Sequence, residues 1–189
     1  KPGVRSTPKI PRSRAKFCAG FPCVESDDTT ASGNVTRHLL ELGHRRIAFF
    51  AGPQVSPWAH DRFAGYKKAL REAKVEFDDQ LIFQAGSTIE EGEKTAVQFL
   101  SETTDATAIQ AVNDMVAIGA GTLLLQQGLK IPQDYSLAGF GNVLVSEHFR
   151  VPLTTVRQPK FRLGVAAMEL MLAKLRGEKV ESKRLAADL

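Results

Sequence analysis

An α/β fold with an open, mainly parallel sheet flanked by helices follows from three features of this sequence. Short apolar runs recur, each bounded by glycine, proline or a polar pair. Each run is followed by a longer segment with helical spacing of its apolar residues. The two patterns alternate regularly from Asp27 onward. Strands alternating with helices mean βαβ units, and their crossovers wind right-handed.

The elements can be justified in order. SDDTTASGNVTRHLLELG opens on acids, places Val35, Leu39 and Leu42 on one stripe, and closes on Gly43. Acids at the start and glycine past the end favour a helix, through the macrodipole and the left-handed cap. IAFFAG, Ile47 to Gly52, is continuously apolar, as a strand buried on both faces requires. PWAHDRFAGYKKALREA sets Phe63, Tyr66, Leu70 and Ala73 on one face of an amphipathic helix. LIFQ, Leu81 to Gln84, is a short strand. STIEEGEKTAVQFLSE is a helix, with Ser87 and Glu90 spaced as a capping box. ATAIQAV is a strand and DMVAIGAGTLLLQQGL a helix ended by Gly128. YSLAGF is a strand, LTTV a short one, and QPKFRLGVAAMELMLAKLRGE a long helix. VPLTTVRQP carries proline near both ends and suits a crossing between two lobes, since proline favours extended neighbours and cannot sit in a central strand. Gly43-His44-Arg45 is a second candidate crossing.

At 43% hydrophobic and 24% charged residues, the chain has the balance that buries a core. No apolar run approaches the roughly 18–20 residues a membrane-spanning helix needs, and no apolar leader follows the first basic residues. The net charge of +4 misleads, because residues 1–16 hold six Lys/Arg and no acid. That Pro-rich segment reads as a basic linker or extended arm, and the remainder is slightly acidic, so no basic face points to nucleic acid. Two cysteines, Cys18 and Cys23, are too few for a disulfide framework and have no zinc-ligand companions. They read as thiols in a reducing cytosol.

In an open parallel sheet, ligands bind outside the carboxyl ends of the strands. Those ends carry PQVSPWAHDR, AGST, ND and GNVLVSEHF. Trp58, Arg62, Asn113, Phe140 and Asn142 therefore face one crevice edge. Asn113 either caps the helix that follows or meets a ligand. Asp114 serves the first helical turn. Arg62 either pairs on the surface with Asp61 or Glu72, or presents its fork of donors beside the Trp58 ring at a pocket mouth. Trp58 in turn is either a packing aromatic or a flat platform for a ring.

Catalytic and cofactor readings find no footing. His38, His44, His60 and His148 sit at unrelated points, no histidine pairs with a Gly-flanked nucleophile, and there is no GxxxxGK phosphate loop. Gly119-Ala120-Gly121 falls within a helix, and Gly139-Phe140-Gly141 lacks the third glycine of a dinucleotide fingerprint. No cofactor, metal site or enzyme activity is expected.

The ordered blocks TRHLLELGHRRIAFFAGP, DRFAGYKKALREA, AIQAVNDMVAIGAGTLLLQQGLKIPQDYSLAGFGN and PLTTVRQP resemble the effector-binding domain of the lactose-repressor/galactose-repressor (LacI/GalR) family of bacterial transcription regulators. The resemblance runs from Asp27 to Gly177. It implies a periplasmic-binding-protein-like fold of two lobes closing on a small molecule. It also implies that Arg62 holds the effector, that Asn113 and Trp58 line the cleft, and that Gln158 lies near it. The pair Asp27-Asp28 matches an Asp-Asn loop, which adds Asp27 as a weaker candidate. Where the family often has an aspartate directly after G-[FY], this chain has Gly141 and then Asn142. An arginine without that carboxylate is expected to accept an anionic or differently hydroxylated ligand, with Asn142 substituting in part.

The expected organisation is a basic tail at 1–16, a partial proximal lobe at 17–45 and 156–177, a distal ligand-binding lobe at 46–155, and a C-terminal return segment at 178–189. The expected function is that of a cytoplasmic, homodimeric sensor. It binds a sugar-like effector and controls operator DNA through a helix-turn-helix outside this chain. A periplasmic sugar-binding protein of the same architecture is the alternative.

Overall fold

The computed structural model describes residues 21–102 and 104–189, so the basic segment 1–16 and Cys18 lie outside the described residues. The elements run β1 (Val24–Ser26), α1 (Asp28–Glu41), β2 (Ile47–Ala51), α2 (Pro57–Glu72), a 3-10 turn (Asp79–Leu81), β3 (Ile82–Gln84), α3 (Ile89–Ser101), β4 (Ala108–Ala111), α4 (Asp114–Gln126), β5 (Ser136–Ala138), a short α5 (Leu144–Glu147), α6 (Lys160–Leu175) and β6 (Lys183–Leu185). Four strands form one wholly parallel sheet in the order β3-β2-β4-β5. A separate two-stranded parallel sheet pairs β1 with β6, Val24 opposite Lys183 and Ser26 opposite Leu185.

The central strand β2 explains the layering. All five of its residues are buried, and side chains alternate across a strand. Ile47, Phe49 and Ala51 therefore meet Ala31, Val35, Leu39, Tyr66 and Leu70 of α1 and α2. Ala48 and Phe50 meet Ala96, Phe99, Val116, Ala120 and Leu124 of α3 and α4. Phe49 stacks tilted on Tyr66, whose hydroxyl donates to the Ile47 carbonyl at 2.8 Å. On the other face Phe50, Phe83 and Phe99 form a triad with centroids 5.4–5.7 Å apart.

Each helical layer closes through glycines. A Cβ on Gly65 of α2 would lie 2.2 Å from the Thr29 carbonyl oxygen, and one on Gly33 of α1 would lie 3.3 Å from the Gly65 carbonyl oxygen. Across the sheet, a Cβ on Gly92 would meet the Val116 carbonyl at 2.4 Å, and one on Gly119 the Ile89 carbonyl at 2.0 Å. Two helix pairs thus pack backbone to backbone. Gly119 is a packing residue, which accounts for a glycine inside a helix.

Several expectations shift in detail. The capping box forms one residue later, between Thr88 and Glu91 rather than Ser87 and Glu90. Here the Thr88 hydroxyl accepts the Glu91 N–H while the Glu91 carboxylate accepts the Thr88 and Ser87 N–H groups. Leu42 and Ala73, expected on apolar stripes, are exposed because they follow the last helical residues. LTTV is not a strand of its own. Thr154 makes one parallel bridge to Ala138, and the segment then runs beside the end of β5.

Two segments expected at the lobe boundary pack with the four-stranded sheet. Helix α1, placed with the proximal lobe at 17–45, packs on the four-stranded sheet because its stripe Ala31, Val35, Leu39 matches the face that α2 shares. Gly43-His44-Arg45 is the turn from α1 to β2 within that layer, with His44 bonding the Thr107 and Ser136 hydroxyls. The segment 154–158 passes from the end of β5, where the Val156 carbonyl accepts the Gly141 N–H, to Asp188 near β6, which Arg157 bridges. Helix α6 packs on β1, while its residues Phe161, Val165, Met168, Leu172 and Leu175 are exposed.

The glycine contacts give a direct test. Gly65→Ala forces a shift of backbone against backbone and is expected to cost about 1–3 kcal/mol in urea melts. Gly164→Ala, in a helix with open space around the new methyl, is expected to add up to about 1 kcal/mol.

Candidate functional site

The strand order reverses direction between β2 and β4. From β2 the chain crosses to β3 on one side, and from β4 it crosses to β5 on the other. Such a switch point leaves a crevice at the carboxyl ends of the two strands, because the following helices diverge to opposite faces. The residues leaving β2 and β4 there are those singled out from the sequence.

After β2, Gly52 lets the chain turn tightly. A Cβ there would lie 2.9 Å from the Ala59 Cβ and 3.0 Å from a Val112 methyl. Pro57 then begins α2 where its missing N–H costs nothing, and Trp58 and Arg62 follow one turn apart on the same face. Arg62 is only 7% exposed, and Asp28, at the start of α1, 3%. The Arg62 Nε and Nη2 both reach Asp28 Oδ2 at 2.9 Å, and Nη1 donates to the Val112 carbonyl at 2.8 Å. The guanidinium carbon sits 3.7 Å from the Phe140 ring centroid and 4.8 Å from that of Trp58. Cation–π attraction and a paired charge therefore hold one group from four directions. Burial pushes the Arg62 pKa below its ordinary value, opposed by the charges of Asp28 and Asp114. Arginine nonetheless stays protonated.

Asp28 is the centre of a second set of contacts. Its Oδ1 accepts the Ser26 hydroxyl, and Gln158 Nε2 donates to Ser26 Oγ at 3.0 Å. Ser26 directly, and Gln158 both through Ser26 and at 3.5 Å, thus reach the carboxylate that faces Arg62. After β4, the Asn113 Oδ1 accepts the Val116 N–H at 2.8 Å as the N-cap of α4, and its amide donates to the Ser87 carbonyl at 3.0 Å. Asp114 is fully buried. It accepts the Val143 N–H at 2.9 Å and the Thr155 hydroxyl, so it fixes the loop after β5. That loop needs Gly139, where a Cβ would stand 2.4 Å from the Asp114 Oδ1.

Together these groups surround a hollow of about 570 Å³, lined among others by Trp58, Arg62, Asn113, Phe140, Gln158 and Asp28. Asn142 and Asp27 stand outside its lining. Asn142 adopts a left-handed backbone at φ +44°, with its N–H on the Thr155 hydroxyl and its carbonyl accepting Lys160 Nζ at 2.9 Å. Asp27 caps α1, accepting the Thr30 N–H at 3.2 Å. Arg62 does not pair with Asp61 or Glu72 on the surface; it is buried against Asp28. Position 141 is glycine, so the family's carboxylate after G-[FY] is missing as read from the sequence, and the carboxylate beside Arg62 comes instead from Asp28 at the start of α1. The sequence does not single out Ser26, and Asp28 enters only within the weaker Asp27-Asp28 pair, because an acid in a first helical turn reads equally well as a macrodipole partner. Among the described residues, no group of acids, histidines and cysteines is arranged to hold a metal, and no helix is long and apolar enough to cross a membrane.

With this geometry in place, comparison with known proteins decides the family. The sequence profile of the periplasmic binding protein-like domain matches residues 36–187. The chain belongs to that family. This periplasmic-binding-protein-like domain is similar to the HTH-type transcriptional repressor CytR of Escherichia coli strain K12. The two are 38% identical over 162 residues, covering 86% of this chain and 48% of CytR. It is similar in structure to a LacI-family regulatory protein from Chloroflexus aggregans, with a TM-score of 0.86 and 30% identity over 95% of this chain and 65% of that one. It is also similar to the transcriptional regulator CelR in complex with cellobiose, with a TM-score of 0.82 and 32% identity over 87% of this chain and 50% of CelR. The chain spans about half the length of the curated relatives it matches. Its homologues are transcriptional regulators of the LacI family, which agrees with the resemblance read from the sequence.

The role of Asp114 as an anchor can be measured. Asp114→Ala leaves the Val143 N–H and the Thr155 hydroxyl without their acceptor, and is expected to cost about 1–3 kcal/mol per orphaned group in denaturant melts. Unchanged stability would contradict it.

Proposed function

We propose that this domain is the ligand-sensing part of a bacterial LacI/GalR-type transcriptional regulator. It takes a small, sugar-like ring in the hollow at the switch point. The observation that carries this reading is the convergence of Trp58, Arg62, Asn113, Phe140 and Gln158 on one concavity at the strand ends. Trp58 is half-buried, so it offers a flat apolar face to a ring while Arg62, Asn113 and Gln158 supply polar atoms for hydroxyls. The cellobiose held by the similar CelR regulator supports a sugar-like ligand.

The readout is control of operator DNA in the cytoplasm, through a helix-turn-helix module of the full-length, homodimeric protein; the similarity to HTH-type repressors supports it. The ligand acts by binding one arrangement of the two lobes better than the other, since a ligand with equal affinity for both shifts nothing. Ser26 stands at the end of β1, Asp28 at the start of α1, Gln158 just before α6 and Arg62 on the larger lobe, so a ligand among them is sensitive to how the lobes lie.

A thermal-shift screen of mono- and disaccharides, sugar acids and purines on the full-length protein tests the reading. A ligand at about 100 times its Kd adds roughly 2.7 kcal/mol, enough to raise the melting temperature by several degrees. Trp58→Ala is expected to abolish that shift while the far-UV circular dichroism is retained. A ligand whose effect survives Trp58→Ala binds elsewhere and overturns the proposal.

A further inference from the structure

We infer that the hollow takes an uncharged ligand and turns away its anionic counterpart, and that Asp28 sets this selectivity. The inference rests on the hollow being the ligand site.

The argument begins with the buried charges. Arg62 is the one buried cation of the lining, and two buried carboxylates, Asp28 and Asp114, lie beside it. The interior of the hollow therefore carries a net negative charge before any ligand enters. Arg62 is also poorly placed to receive an anion. Three of its five N–H groups are already engaged, two edges of the fork on Asp28 Oδ2 and one on the Val112 carbonyl. The Phe140 and Trp58 rings pack against the guanidinium. A carboxylate or phosphate on the ligand would compete with Asp28 for the same cation inside a region where burial strengthens like-charge repulsion.

The two helix starts that border the hollow are partly engaged as well. At the start of α4, the Asn113 side chain takes the Val116 N–H and Asp114 follows directly. At the start of α2, Pro57 has no N–H, and those of Ala59 and His60 bond the Ser56 carbonyl. The remaining charged groups of the lining lie toward its rim. Lys160 is exposed and donates to the Asn142 carbonyl, and Glu25 pairs with Arg184 at 2.7 Å. Solvent screens both, and their signs offset. What the interior leaves available is the pair of unused Arg62 N–H groups, the remaining lone pair of the Asn113 oxygen and the rest of the Gln158 amide, because Asp28 already accepts from Arg62, Ser26 and Gln158. That is a set of donors and acceptors suited to hydroxyl, amide or ring nitrogen groups without charge.

Matched pairs of probes test this by isothermal titration on the full-length protein: glucose with glucose 6-phosphate and gluconate, ribose with ribose 5-phosphate, and adenosine with adenosine monophosphate. In whichever pair binds, the uncharged member is expected to bind at least tenfold more tightly. In Asp28→Asn, which keeps the shape and removes the charge, that ratio is expected to fall at least tenfold, with folding checked by circular dichroism. An anionic member binding the wild type as tightly as its uncharged partner overturns the inference while leaving the ligand site in place. So does a ratio that Asp28→Asn leaves unchanged. Binding by no member of any pair removes both the site and the inference.

Discussion

A guanidinium taken out of water has to be paired, and in this protein the pairing of Arg62 with Asp28 organises everything near the strand ends. The two groups come from different helices, α2 and α1, and 34 residues apart in sequence. Isolated burial of either charge would cost several kcal/mol, so the position of one dictates the position of the other. Through Asp28 the pair reaches Ser26 at the end of β1 and Gln158 just before α6. Through Nη1 it reaches the end of β4 at Val112, and through its faces the Phe140 and Trp58 rings. One ion pair thus joins β1, α1, α2, β4 and the loop after β5.

The place of that pair is set by topology. Between β2 and β4 the crossovers leave in opposite directions, and the larger hollow lies there. The packing around it is tight enough to be decisive. Gly33 and Gly65 bring α1 against α2, which carries Asp28 to within reach of Arg62. The Ser32 hydroxyl donates to the Arg62 carbonyl at 2.7 Å and also accepts from Gln110, whose amide is buried beneath α1. A polar network inside an apolar layer is costly unless every member is satisfied. Here the Thr36 hydroxyl, the Ser32 hydroxyl and the Ser32 carbonyl complete it.

Much of this was legible from the amino acids. IAFFA, bounded by Gly and Pro, reads as a strand covered on both faces, and the phase of Tyr66 and Leu70 fixes the buried side of α2. The rule that ligands gather at carboxyl strand ends brings Trp58, Arg62, Asn113 and Phe140 together from the sequence alone. What failed to show were effects of contact between distant segments. Asp28 looked like a helix-start acid, and its partner lay a whole βα unit away. The stripe of α1 is equally compatible with either lobe, and only the Gly33–Gly65 approach decides for the larger one. Asn113 posed a choice between cap and ligand contact. The cap is present, and the same side chain also borders the hollow. Asn142 followed the strand as expected, yet a left-handed backbone there stands it outside the lining.

A double-mutant cycle on Arg62 and Asp28 tests the central claim most directly, with stability read by urea denaturation of Arg62→Leu, Asp28→Leu and the double variant. Each single change strands a buried charge and should lose about 3–5 kcal/mol, while removing both replaces the pair with apolar groups and should lose far less than the sum. Losses that add to within about 0.5 kcal/mol would mean the two residues act independently, and the ion pair would not be what holds the strand ends together.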